Sequence, residues 1–139
     1  MSGIRRWRVA VTGVLLEVAL VALLVPIGAI FGAPPGLGMK EAQNAMVFMT
    51  AVPLGCFVFG YLAGWIVARK VPAHPVVHGL LVGAVGTAFY LVMSSLNPRG
   101  LSGVIAAYGA IHFWATQIMR IAGCTFGAAR HERLTTGRA

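Results

Sequence analysis

The chain has 139 residues, of which 58% are hydrophobic and only 10% are charged, and its formal net charge is +8. Soluble domains carry about 25% charged residues, so this composition argues against a water-soluble globular domain. There is no Asp, and no nucleophile elbow, phosphate loop or paired catalytic carboxylates appear. We therefore expect no enzyme, and we expect no nucleic-acid partner because the basic residues flank apolar runs.

Four apolar runs follow one another along the chain. About 20 apolar residues, at ~1.5 Å rise per residue, cross the ~30 Å hydrocarbon core of a bilayer. The runs are numbered as spans one to four and cover about 9–31, 45–68, 76–96 and 101–126. The first is longer than the about 7–15 residues of a signal-peptide core, so we interpret it as a mature helix. We predict an all-α integral membrane four-helix bundle, with 1–139 as a single transmembrane domain.

The connecting segments are too short to be domains. The outer loop 32–44 contains Pro34-Pro35, which cannot continue a helix, and Asn44 is a suitable N-cap for span two. The inner loop runs from Arg69 to His74, and Pro75 suits the first residue of span three. The basic tail from residue 130 onward is predicted to be a frayed end without a fold of its own.

The basic residues are distributed unequally between the two ends of the predicted bundle. Cytoplasmic flanks of membrane proteins are enriched in Lys and Arg. Lys40 and Arg99 lie on one side. The other nine lie on the opposite side: Arg5, Arg6, Arg8, Arg69, Lys70, Arg120, Arg130, Arg133 and Arg138. We therefore predict a multi-pass membrane protein with both termini in the cytoplasm.

Three of the spans carry glycine pairs at helical spacing. Small residues allow the close backbone approach that drives helix association in lipid. The pairs are Gly60 and Gly64 in span two, Gly79 and Gly83 in span three, and Gly123 and Gly127 in span four. We expect spans two and three to meet along their glycine faces. The alternative is that one of these faces forms a homodimer.

Glu17 interrupts span one near its middle. Ten residues separate it from Trp7, so it lies ~15 Å above the inner interface. An acidic side chain at this depth costs about 2.5–3.5 kcal/mol on insertion scales and almost always faces the protein interior. A polar partner for Glu17 is therefore expected.

Span four offers that partner. Four polar residues recur every fourth position and are bordered by Gln117; they are Tyr108, His112, Thr116 and Arg120. His112 lies ~16 Å below the outer surface and Glu17 ~21 Å below it, which is within about one helical turn. We predict that spans one and four face each other, with Glu17 hydrogen-bonded to His112 or Thr116. Arg120 would close the inner end of this midplane site.

Two interpretations of this cluster remain open. In the first, the polar groups are structural, and each satisfies another across two helices. In the second, they form a proton-linked or cation-binding site, since Glu and His at the midplane mark transport pathways. Span one with its central Glu17 also resembles the small multidrug resistance exporters, which carry a carboxylate in their first helix. That resemblance implies an exporter.

The remaining His and Cys residues predict no metal and no cofactor. His74 and His78 have an i, i+4 spacing that metal sites use, but no third ligand is secure. Cys56 and Cys124 are expected at different heights, which prevents a disulfide.

One hairpin resembles a known kind of protein. The segment GYLAGWIVAR (60–69), a short basic loop and HGLLVG (78–83) are similar to a hairpin in small bacterial four-span membrane proteins of unknown function. The resemblance implies an inner-membrane setting and no activity.

These observations favour a non-enzymatic polytopic inner-membrane protein that acts as an assembly or interaction subunit. Its expected partners are the lipid bilayer and either further copies of itself or other membrane subunits. The alternative is a small proton-coupled transporter or exporter that uses a midplane Glu17–His112 site. A redox or quinone-associated subunit is a third class.

Overall fold

The computed structural model describes residues 6–31, 39–71, 73–96, 98 and 100–137. Within these ranges the chain forms five helices and no strand, which confirms the all-α prediction. The helices are α1 (Arg6–Phe31), α2 (Met39–Ala68), α3 (Pro75–Ser95), α4 (Gly100–Tyr108) and α5 (Ala110–Thr136). Two segments are long and apolar enough to cross a membrane, Met49–Ala68 of α2 and Pro75–Ser95 of α3.

The long helices pack around the α2–α3 pair. α5 packs most extensively against α2 and also against α3, and α1 packs against both α2 and α3. In the part of the chain that the structure describes, α1 and α5 therefore do not share an extended interface. The prediction that spans one and four face each other directly was wrong, because α2 and α3 lie between them.

The helix boundaries differ from the predicted ones at three places. Predicted span four is two helices, because Gly109 adopts φ 76° and ψ 131° between α4 and α5. α5 continues through the predicted frayed tail to Thr136, where helix-forming residues and Arg133 in the last turn favour it. α2 begins at Met39, so Asn44 lies inside the helix and is not its N-cap.

The inner turn agrees with the sequence. α3 begins at Pro75, as predicted from the fixed φ of proline at a first helical position. His74 precedes it in the left-handed region at φ 53°. One end of the bundle holds the starts of α1 and α3 and the ends of α2 and α5. At this end Arg8 Nη1 donates to the backbone oxygen of Lys70, and Trp65 contacts the ring of His131.

The glycine faces of α2 and α3 both pack against α5, a contact that the prediction of a glycine interface between spans two and three did not include. A Cβ added at Gly60 would lie 2.8 Å from the carbonyl oxygen of Arg120, and one at Gly79 would lie 2.5 Å from that of Cys124. Gly64 also approaches Cys124, and Gly83 approaches Ile121. Both helices therefore converge on α5 around Cys124.

The approach between α2 and α5 is reciprocal. Gly123 of α5 lies against the backbone of Phe57, and Gly127 lies against that of Tyr61. Both helices thus present small residues to the backbone of the other. This explains why their interface is the most extensive in the bundle.

The interior of the bundle holds polar side chains beside its apolar core. Six polar or charged residues are buried: Glu17, His78, Ser94, Thr116, Gln117 and Arg120. Large apolar side chains also point outward on each long helix, among them Leu15, Leu62, Leu80 and Ile118. Soluble monomers rarely expose large contiguous apolar patches.

Candidate functional site

A buried ion pair connects α1 to α5. Glu17 Oε1 lies 2.6 Å from Arg120 Nε, and the two side chains are 3% and 2% exposed. The two atoms lack the alignment of a hydrogen bond, so their attraction is that of opposite charges. In the described part of the chain the pair joins two helices that share no extended interface, because the long Arg120 side chain crosses the space between α2 and α3.

Arg120 also contacts the helices that it passes. Its Nη1 donates to Gln117 Oε1 on the same helix, and its Nη2 lies 3.8 Å from Cys56 Sγ on α2. The guanidinium lies over the ring of Tyr90 on α3, 5.0 Å from the ring centre. One side chain thus contacts groups from α1, α2, α3 and α5. The buried guanidinium has partners on four helices, while its Nε makes no hydrogen bond with the described residues.

Gly86 of α3 provides the space for the ion pair. A Cβ at this position would lie 3.2 Å from Glu17 Oε1 and 3.5 Å from Arg120 Cδ. Sequence reasoning missed Gly86, Cys56 and Tyr90. The spacing of Gly79, Gly83, Gly86 and Tyr90 was the available signal, since these positions share one face of a helix.

The predicted partners of Glu17 lie elsewhere. The structure pairs Glu17 with Arg120 and not with His112, whose side chain is exposed. Thr116 is buried, but its Oγ1 donates to the His112 carbonyl 2.8 Å away. The turn at Gly109 starts a new helix, so the four-residue stripe does not continue through it. Tyr108 ends α4, and its side chain lies outside the described part.

A crevice reaches Glu17 from the surface. It has a volume of about 620 Å³ and opens between α1, α3 and α4. Its polar lining comes from Glu17, Tyr90 and Ser94, and the rest is apolar, including Phe89 and Met93. The carboxylate is therefore adjacent to a space that a small molecule or water could enter, while its charge remains balanced by Arg120.

A second groove lies between α1 and α2. Its volume is about 550 Å³, and Arg8 and Lys70 lie at one end of it. The walls are apolar, with Leu15 and Leu62 among them, and they reach Phe59 at the other end. No part of the predicted site falls in this groove.

The histidines and cysteines form no metal-binding group among the described residues. His78 is fully buried, and its Nδ1 donates to the carbonyl of His74 at 2.9 Å, while the His74 side chain is exposed. The two cysteines are free thiols in the core. No family model, curated protein or solved structure matches this chain.

Proposed function

We propose that the chain is a non-enzymatic membrane protein with four membrane passes, formed by α1, α2, α3 and the α4–α5 unit. The buried ion pair and the apolar outer surface support this proposal. Soluble monomers rarely expose large contiguous apolar patches, and charged groups in membrane helices almost always face the bundle interior. Leu15 and Ile118 lie on the outer surface, while Glu17 and Arg120 lie inside.

The proposed orientation has both termini in the cytoplasm of a bacterial cell. Arg120 pairs with Glu17, so it no longer counts as a flanking charge. Six basic residues in the described part remain at the end of the bundle that holds the inner turn: Arg6, Arg8, Arg69, Lys70, Arg130 and Arg133. Lys40 lies in the first turn of α2 at the other end. This asymmetry still favours the cytoplasm for the basic end.

The role that the geometry supports best is that of an assembly or interaction subunit. The observation that carries it is the enclosure of the Glu17–Arg120 pair, because its contacts with Gln117, Cys56 and Tyr90 give it the character of a structural connection. Such a pair fixes how helices pack. Recognition then falls to the outer surface, where the exposed His112 beside Ile111 offers a polar group that a second subunit would satisfy.

Gentle extraction followed by mass measurement tests this role. The expected result is a complex heavier than one chain, as a homo-oligomer or with other membrane subunits. His112→Leu should reduce the amount of complex without lowering the melting temperature, and Ile118→Ala, at another exposed position on the same helix, should leave the complex intact. A strictly monomeric protein at native expression levels would contradict the proposal.

A second candidate is a small proton-coupled transporter, and the crevice at Glu17 favours it. The Glu17 carboxylate borders a space of about 620 Å³ that a small substrate could occupy. In this version the site is Glu17 with Arg120, instead of Glu17 with His112. Transport would require the ion pair to open and close during the cycle.

Proton flux in vesicles separates the two candidates. If Glu17→Gln assembles normally but abolishes a proton flux that the unaltered protein supports, the transporter is favoured. If the same variant loses assembled protein and the unaltered protein supports no flux, the ion pair is structural. Val18→Ala, next to Glu17 in the crevice wall, controls for a change of cavity shape.

A further inference from the structure

The groove between α1 and α2 has a charged end and an apolar body. Arg8 and Lys70 lie at the end near the inner turn, beside Trp7. Trp7 is 80% exposed, and indole rings are favoured at the membrane–water interface. Of the described residues that line the groove, none is acidic. The charged end of the groove therefore attracts anions. The apolar body of the groove excludes water-soluble anions.

The length of the groove matches one leaflet of a bilayer. On α1 its lining runs from Trp7 to Ala19, twelve residues apart, or about 18 Å along the helix. Half of a ~30 Å hydrocarbon core is about 15 Å. The exposed side chains of Leu15, Leu62 and Ile66 follow this length.

The hydrogen bond of Arg8 fixes the charged end. Its Nη1 donates to the backbone oxygen of Lys70, which holds the start of α1 against the end of α2. A guanidinium has further N–H donors in a planar fork that matches phosphate oxygens. The Lys70 ammonium adds a second positive charge, and its side chain is exposed.

We propose that this groove is a binding site for an anionic phospholipid of the inner leaflet, with its phosphate on Arg8 and Lys70 and an acyl chain along Leu15, Leu62 and Ile66. Basic pockets between membrane helices on the cytoplasmic side bind such headgroups. The inference rests on the proposed membrane location and orientation. It is independent of whether the chain acts as an assembly subunit or a transporter.

Native mass spectrometry of the purified full chain tests the site. Phosphatidylglycerol and the zwitterionic phosphatidylcholine are titrated separately, and bound lipids are counted. The expected result is one retained phosphatidylglycerol and no equivalent phosphatidylcholine. Lys70→Gln should weaken binding about fivefold, since each surface cation contributes on this scale. This variant keeps the Arg8 hydrogen bond, because that bond uses the Lys70 backbone.

Two further variants identify the source of the anion. Ala19→Trp fills the apolar end of the groove and should weaken phosphatidylglycerol binding while both charges remain. If inorganic phosphate displaces the lipid and Ala19→Trp has no effect, the site binds free anions and the proposal is overturned.

Arg130→Gln with Arg133→Gln removes two charges elsewhere on the inner end. An equal loss of lipid in this control would mean nonspecific attraction and would also overturn it.

Carbonate extraction of cell membranes distinguishes the two failures. A protein that is washed from the membrane contradicts the proposed function, and the lipid site with it. A protein that resists extraction but shows no preference for phosphatidylglycerol contradicts only the lipid site. The melting temperature of each variant shows whether it loses lipid because it unfolds. If another variant unfolds, lipid binding by Lys70→Gln decides the outcome.

Discussion

At the residue scale, the ion pair resolves the problem that Glu17 poses. Glu and Arg in the middle of a membrane helix each cost about 2.5–3.5 kcal/mol on insertion scales. Pairing offsets this cost only if both groups are buried together, as they are here at 2.6 Å. A neutral hydrogen bond between membrane helices contributes only about 0.6 kcal/mol on average. His112 or Thr116 would therefore satisfy Glu17 less well than Arg120 does.

Removing one member of the pair should be more harmful than removing both. Glu17→Leu leaves Arg120 charged and buried, and we expect it to cost about 3–5 kcal/mol of stability. Glu17→Leu with Arg120→Met should recover most of this loss, because no unpaired charge remains. Thermal melting in detergent measures both, with Arg133→Met at an exposed position as the control. A double variant as unstable as Glu17→Leu would contradict the structural role of the charges.

Gly86 provides a finer test of the same site. Gly86→Ala places a methyl group 3.2 Å from Glu17 Oε1, in a contact that α3 cannot relieve without moving the ion pair. We expect a loss of about 1 kcal/mol or more. Gly55→Ala is the matched control on α2, where an added Cβ meets nothing within 4 Å. It should be neutral or stabilising by about 0.5–1 kcal/mol. Equal melting temperatures for the two variants would show that the site is not tightly packed.

At the scale of the elements, α5 organises the bundle. The glycines of α2 and α3 approach its backbone around Cys124, and its own Gly123 and Gly127 approach α2. Close approach also fixes the height at which α5 lies, which brings Arg120 level with Glu17. The small residues and the ion pair therefore depend on each other, since a shift of α5 by one turn would separate the charges by about 5.4 Å.

A larger side chain in the α2–α5 interface should disrupt both features. Gly127→Leu must displace the backbone of Tyr61, and we expect a cost of about 3 kcal/mol or more, at the upper end for overpacking. The displacement should also expose Cys124, which is fully buried in the unaltered protein. Its reaction with a thiol reagent measures this, and Gly55→Leu, which faces open space, is the control. Unchanged labelling of Gly127→Leu would mean that the interface adapts without separating.

The turn at Gly109 decides the direction of α5. Its φ of 76° and ψ of 131° lie in a region that residues with a Cβ rarely adopt. We expect Gly109→Ala to cost about 1–3 kcal/mol, the usual range for such strain. Melting experiments compare it with Gly55→Ala. If Gly109→Ala has the same melting temperature as Gly55→Ala, the turn is not required for the fold.

At the scale of the whole molecule, a buried ion pair is combined with an apolar outer surface. Glu17 and Arg120 lie inside beside the apolar core, and large apolar side chains are exposed along the long helices. The bundle would expose this apolar surface to water if it were soluble. A hydrocarbon environment removes the penalty, and it strengthens the attraction between Glu17 and Arg120 because the surrounding dielectric constant is low.

The orientation can be tested with two introduced cysteines. Thr135 and Ser95 are exposed near opposite ends of the bundle. In intact spheroplasts we expect Ser95→Cys to react with a membrane-impermeant maleimide and Thr135→Cys to react only after permeabilisation. The native Cys56 and Cys124 contribute little background, since they are 1% and 0% exposed. Labelling of Thr135→Cys from outside would reverse the proposed topology.

The sequence alone determined the helical nature of the chain and several local features. The long apolar runs predicted helices, and Pro75 predicted the start of α3. The sequence also indicated that Glu17 needs a buried partner, because the cost of an isolated carboxylate in apolar surroundings does not depend on the fold. Composition and local spacing are sufficient for conclusions of this kind.

Only the tertiary structure decided which residues meet. His112 and Arg120 lie eight residues apart on α5, so at about 100° per residue their directions differ by about 80°, and the helices packed against α5 leave His112 exposed and Arg120 buried. Arg120 was counted among the flanking charges as well as at the inner end of the midplane site, because a sequence records position along the chain and not the space between α2 and α3. The convergence of two glycine faces on α5 also depends on the arrangement of three helices, which no single segment encodes.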